Sequence, residues 1–314
     1  MRKRIQNIVA ESRHTLSVTV LYGIGVWLLA GLVTESWWIQ FCCFIVSVYL
    51  MAELNNQNVL IRIFSRTVSS AYIILTCAAV WMMPSLTGAV IQLCAISSII
   101  LLFQSYQDKE AVGKTFYSFL CIGFACLTDI HAVFYLPLYW GLMGLSLYSF
   151  SIRTFSASVI GLLTPFWFSF AWYLYQGKAG ILEWIDHLSC ITDIRLSIDY
   201  GVLTSYQIVF LLFLILLFVI GTIHFFHKSY NDKIRVREIY TCLIMMTVYS
   251  ILLILLQPQI YDMVIHFIII TVSPIIAHFI ALTYSKFTNI LFFVILGIAL
   301  ALTGFALWTS SSLF

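Results

Sequence analysis

Residues 203–226 read LTSYQIVFLLFLILLFVIGTIHFF, a run in which no side chain is Asp, Glu, Lys or Arg. A helix rises about 1.5 Å per residue, so a run of this length crosses the roughly 30 Å hydrocarbon core of a bilayer. Lipid offers no hydrogen bonds to a peptide group, and a helix satisfies all of its own. The run therefore predicts a transmembrane α-helix.

Comparable apolar runs fill most of the chain, which is 62% hydrophobic and 9% charged, with a mean hydropathy of +1.01. Such a composition needs lipid as solvent, and the period-two alternation of a membrane barrel is absent. The predicted fold is all-α, a polytopic transmembrane helix bundle of about eleven spans, or ten if the short pair around Asp129 is merged. The runs form a single transmembrane domain over residues 1–314 and lie near 16–33, 37–54, 67–84, 88–106, 115–129, 132–150, 157–176, 203–226, 239–257, 263–283 and 289–308.

The basic residues define an orientation. Of the 16 Lys and Arg residues, all but Lys178 and Arg195 fall in one alternate set of connections between the runs. Cytoplasmic loops carry such an excess, so the N terminus is predicted to lie inside and the loop 177–202 outside. Because the positive charge is local to these loops, it indicates anionic lipid headgroups as partners and argues against nucleic acid.

The first candidate site is an acid and an imidazole in the outer connection of the sequence CLTDIHAVFYLP, residues 126–137. Asp129 and His131 stand two residues apart between short apolar runs. A carboxylate and an imidazole at membrane depth are costly, and their usual setting is a polar cavity, a proton path or a headgroup site. The alternative is the hydrated tip of a hairpin loop.

The second candidate is the outer loop 177–202. Within residues 181–191, apolar side chains recur at spacings of three and four, which predicts an amphipathic helix on the membrane surface. Its polar positions could coordinate a cation, contact a glycan or bind a partner protein, or could simply form a solvated face. The candidate catalytic residues here are Glu183 and Asp186, and the candidate partner or lipid contacts are Trp184, His187, Asp193 and Arg195.

The third candidate lies at the inner end of the second run. Glu53 precedes the four amides of residues 55–58, and with Arg62 they could line a polar vestibule, meet a cytoplasmic partner or form an interfacial turn. Elsewhere, His266 and His278 are expected to be paired inside the bundle. Neither a CxxC motif nor a Cys/His cluster occurs, so no metal site and no cofactor are predicted.

Residues 101–176 resemble an uncharacterised family of bacteroidetal multi-span inner-membrane proteins. The similarity rests on the segments QSYQDKEAVGKTFYSF, LTDIHAVFYLPLYWGL and SIRTFSASVIGLLTPFWFSFAWYLY. The resemblance implies a multi-pass protein of a cell inner membrane and brings no assigned activity. The matching positions are Phe134, Tyr135, Pro137, Arg153, Gly161, Leu162, Leu163, Pro165 and Phe166.

Three classes of function follow from these observations. The leading hypothesis is a non-catalytic subunit or scaffold of cell-envelope assembly or secretion, with a membrane-protein partner. The second is a multi-span glycosyltransferase or polymerase acting on a lipid-linked sugar, in which Asp129, Glu183 or Asp186 is the general base. The third is a small-molecule transporter, for which buried charges in mid-span are expected and almost none are recognisable in the sequence.

Overall fold

The computed structural model describes residues 4–190 and 200–311 of the chain. Within these ranges the protein is 84% helical, with thirteen α-helices and no strand, which confirms the all-α fold class. Asp193 and Arg195, named above as contact residues, lie outside the described residues. The helices are α1 (Ile5–Glu11), α2 (Thr15–Ala30), α3 (Trp38–Asn58), α4 (Thr67–Ala78), α5 (Leu86–Gln104), α6 (Val112–Thr128), α7 (Leu136–Leu145), α8 (Ile152–Tyr175), α9 (Lys178–Ser189), α10 (Ser205–Lys228), α11 (Ile234–Leu256), α12 (Tyr261–Leu282) and α13 (Lys286–Ser311).

Seven of the described helices, α3, α5, α8 and α10 to α13, are long and apolar enough to cross a membrane. The shorter apolar helices are α2, α4, α6 and the segment Ile130–Leu145, in which a 3-10 turn leads into α7. Each run predicted from the sequence lies on one of these helices. A count of eleven crossings and an inside N terminus stay predictions.

Contacts divide the chain into two compact units. Unit 1 comprises Met1–Ala89, Thr204–Thr247 and Ile268–Phe314, and unit 2 comprises Val90–Leu203 and Val248–Phe267. The single transmembrane domain expected from the sequence stays a prediction.

In unit 1, helices approach closely where a glycine removes the side chain. A Cβ on Gly221 of α10 would lie 2.9 Å from the carbonyl oxygen of Ile275 on α12. Small residues let helix backbones approach within van der Waals contact, which is how membrane helices associate when burial from lipid gains little.

In unit 2, helices α6 and α8 also approach each other closely, and each helix contributes a glycine to the contact. A Cβ on Gly161 of α8 would overlap the carbonyl oxygen of Phe116 on α6, and a Cβ on Gly123 of α6 would lie 2.6 Å from the carbonyl oxygen of Leu162. Helix α8 continues through Pro165, as α12 does through Pro274.

Connections that share a predicted side of the membrane contact one another within each unit. In unit 2, the Ser151 hydroxyl donates to the carbonyl of Lys109 at 2.8 Å. In unit 1, Arg62 lies 3.9 Å from Asp232, so the α3–α4 and α10–α11 connections meet at one end. These pairings agree with the alternation of charge along the chain.

Candidate functional site

Asp129 follows the last residue of α6 and begins the 3-10 turn Ile130–Tyr135. Its carboxylate oxygen Oδ1 accepts the His131 backbone N–H at 3.0 Å and lies 2.7 Å from Nδ1 of the His131 ring. The carboxylate therefore caps the turn and orients the imidazole. Both side chains are partly exposed, at 30% for Asp129 and 26% for His131.

The ionisation of Asp129 follows from these contacts. Burial acts to raise the pKa of Asp129, but the hydrogen bonds from His131 and the nearby imidazoles of His131 and His187 outweigh it. The pKa accordingly lies below its usual value of 3.8. An ionised carboxylate accepts hydrogen bonds only, so Nδ1 of His131 carries the proton and donates it to Asp129.

The structure brings the first two candidate sites together in unit 2. Nε2 of His187, on α9, donates to the carbonyl of Cys126 in the last turn of α6 at 3.0 Å. An α6 carbonyl near the helix end has no intrahelical partner, and His187 supplies one. Helix α9 is thereby attached next to the turn that holds Asp129.

Two further contacts seat α9 against α8. The Trp184 indole donates to the Ser169 hydroxyl at 3.3 Å and packs on Phe170 with ring centroids 5.0 Å apart. A Cβ on Gly180 would lie 2.5 Å from the carbonyl oxygen of Tyr173, so only glycine allows this approach. Helix α9 is a packed element with a defined orientation.

Helix α9 covers most of the segment predicted to be an amphipathic helix. Trp184 and His187 are turned inward, whereas Ile185, expected on the apolar face, is 48% exposed beside Leu182 at 62%. Helix α9 packs on α8 by the stripe that contains Gly180, and the exposure of Ile185 is compatible with the predicted position on a membrane surface. Glu183 and Asp186 are exposed, and within the described ranges neither carboxylate makes a hydrogen bond or an ion pair.

The third candidate is mainly a packed helix end. Glu53 accepts a hydrogen bond from Gln57 one turn later, at 2.7 Å, on the exposed side of α3. Asn55 and Asn58 are buried, and Oδ1 of Asn58 accepts from the Arg235 guanidinium at 3.2 Å. The amides therefore join α3 to α11 within unit 1.

One buried cluster of titratable side chains was not predicted from the sequence. Asp232, in the short connection before α11, is only 3% exposed, and its Oδ2 lies 3.1 Å from Nε2 of the fully buried His278 on α12. The expectation that His278 is paired is confirmed. His224 of α10 packs on His278 with ring centroids 5.3 Å apart, and Arg62 faces the other carboxylate oxygen. The only available signal was an acid amid the basic residues of a loop that the charge pattern predicts to be cytoplasmic.

Within the described residues, none of these sites has the ligand set of a metal centre. Among the residues that the structure describes, no group of three His, Cys, Asp or Glu side chains could hold a metal ion. One described groove of unit 1 is wholly apolar and is lined by residues such as Leu75, Phe213, Ile276 and Ile295. Such a groove suits an acyl chain.

A scan against protein-family models, a search of curated proteins and a search of solved structures each gave no match to this chain.

Proposed function

We propose that the protein is a non-catalytic subunit or scaffold of cell-envelope assembly or secretion in a cell inner membrane, and that it contacts a membrane-protein partner through the outward face of α9. The seven long apolar helices are compatible with an integral membrane protein. The inner-membrane location rests on the family resemblance of residues 101–176.

The observation that carries the proposal is the orientation of α9, which its contacts with α8 and α6 determine. Trp184, His187 and Gly180 attach the helix to α8 and α6, so that its opposite face has one orientation. That face combines two exposed aliphatic side chains, Leu182 and Ile185, with the acids of positions 183 and 186. An apolar centre bordered by charge is the usual composition of a protein interface.

The Asp129 carboxylate supports the same conclusion. Its Oδ1 accepts both hydrogen bonds from His131 and ends the helix before it, which is a structural role that a scaffold also needs. Capping of this kind stabilises a chain turn without any ligand.

The experiment is site-specific photocrosslinking in native membranes, with the reactive group at Ile185 or, as the matched control on the packed side of α9, at Leu188. One defined protein adduct is expected from position 185 and none from 188. Trp184→Glu, which puts a charge into the α8 contact, should abolish the adduct, whereas Asp186→Asn should keep the helix seated. Adducts with lipid alone, or equal adducts from both positions, would contradict the proposal.

A second candidate, the enzyme acting on a lipid-linked sugar, is favoured by the convergence of Asp129, His131 and His187 beside an amphipathic helix. A general base must keep its carboxylate, so Asp129→Asn should abolish complementation of a deletion strain at unchanged membrane abundance. Full complementation by the Asn variant would exclude Asp129 as the base and leave the scaffold ahead.

A further inference from the structure

The Asp232 cluster, consisting of Asp232, His278, His224 and Arg62 in unit 1, is the described group in which a carboxylate and two imidazoles meet away from solvent. The Asp232 side chain is 3% exposed and the His278 side chain is fully buried. Arg62, whose side chain is 39% exposed, separates the cluster from solvent. An ionisable group buried among membrane helices carries a large desolvation cost, so its presence calls for a function.

Three ring nitrogens of the cluster lack a hydrogen-bond partner within the described residues. Nδ1 of His278 and both ring nitrogens of His224 are buried, and none has a hydrogen-bond partner in the described part of the chain. Buried polar atoms in proteins are nearly always paired, and an unpaired one is costly. These three nitrogens lie on two rings whose centroids are 5.3 Å apart, and Nδ1 is the ring nitrogen of His278 that does not contact Asp232.

The surroundings are aromatic and apolar. Phe225 and Phe279 pack against the two imidazoles, and the Tyr240 ring lies 4.9 Å from that of His278. Arg62 from the α3–α4 connection, Lys228 at the end of α10 and Tyr240 on α11 are the other charged or titratable groups that face the cluster. A low-polarity wall strengthens each electrostatic interaction inside it.

We propose that His224, His278 and Asp232 form a proton-binding relay whose occupancy controls the ion pair between Asp232 and Arg62. A hydronium ion first protonates His224, and the resulting imidazolium passes one proton to Nδ1 of His278 across a water molecule. As the new N–H bond forms at Nδ1, the Nε2–H bond breaks and its proton goes to Oδ2 of Asp232. The products are a neutral His224, a neutral His278 imidazole of the other tautomer and a neutral carboxylic acid at Asp232, and another hydronium ion can then protonate His224 again.

Proton binding by the cluster affects the contact between two connections of unit 1. The neutral acid no longer attracts the Arg62 guanidinium, so proton binding loosens the link between the α3–α4 and α10–α11 connections. The relay goes beyond a scaffold role.

The experiment uses the full chain in lipid nanodiscs with ¹⁵N-labelled histidine, because nitrogen chemical shifts distinguish the two neutral tautomers and the imidazolium. His278→Gln identifies the His278 signal by its loss. In the wild type, this signal is expected to change tautomer as the pH is lowered from neutral. Asp232→Asn should abolish the change, and His227→Gln, an exposed histidine one turn after His224, should leave it intact.

His224→Gln provides a second test that leaves the Asp232–His278 hydrogen bond in place, so the result does not depend on the folding of Asp232→Asn. The tautomer change of His278 should then be lost or displaced in pH. A His278 signal that keeps one tautomer at every pH at which the protein is folded would overturn the relay. A titration unchanged in both Asp232→Asn and His224→Gln would overturn it as well.

Discussion

The side-chain amide of Gln6 donates hydrogen bonds to the Ile280 carbonyl at 2.7 Å and to the Thr283 hydroxyl at 2.6 Å, which joins the first helix of unit 1 to the end of α12. Asn289 completes the junction by accepting the Gln6 backbone N–H at 3.1 Å. Carbonyl groups in the last turn of a helix lack intrahelical donors, and α1 supplies them here.

Gln6→Ala is expected to destabilise the protein, because it leaves the buried Ile280 carbonyl without this donor. The loss should be on the order of 1–3 kcal/mol. Ile8→Ala, at an exposed position of the same helix, is the control and should have little effect. Unfolding by a denaturing detergent in mixed micelles measures both, and equal losses would show that α1 does not stabilise α12 through Gln6.

Gly161→Ala is expected to separate α6 from α8, since the added methyl group would overlap the Phe116 carbonyl oxygen. Overpacking of this kind costs about 1–3 kcal/mol. Gly144→Ala is the matched control, because a Cβ there meets nothing within 4 Å and helix propensity favours alanine. A lower melting temperature is expected for the first variant alone. If both variants melt like the wild type, the close approach of α6 and α8 is wrong.

The Asp129 contacts predict a pH dependence of stability. The folded-state pKa of Asp129 is below its usual value of 3.8, so ionised Asp129 stabilises the folded protein at pH values above the unfolded-state pKa. This contribution is lost as the pH falls through the lower folded-state pKa. Asp129→Asn should therefore melt below the wild type at neutral pH, and the difference should shrink under acid conditions. A difference that stays constant between these conditions would contradict the assignment.

The alternation of charge predicts which connections are cytoplasmic. In a chain with its eight cysteines replaced, Lys233→Cys should be protected from a membrane-impermeant maleimide in intact spheroplasts. Ala179→Cys, on the exposed start of α9, should react under the same conditions. Reaction at position 233 without reaction at 179 would invert the orientation.

The helices could be predicted from residue type alone, because a long apolar run has only one way to satisfy its backbone in lipid. The spacing of apolar residues also predicted α9. The spacing did not indicate which stripe of α9 packs on α8, because that choice depends on Gly180 and the neighbouring helix.

The partners of the buried polar residues were decided only by the tertiary structure. Helices α12 and α13 have similar mean hydropathies, 2.2 and 2.7, yet 94% of the first and 28% of the second are buried. Lipid tails and protein side chains are equally apolar, so composition does not tell which helix is central. Asp232 and His278 are 46 residues apart and meet because α10 and α12 pack closely at Gly221, a contact that no periodicity encodes.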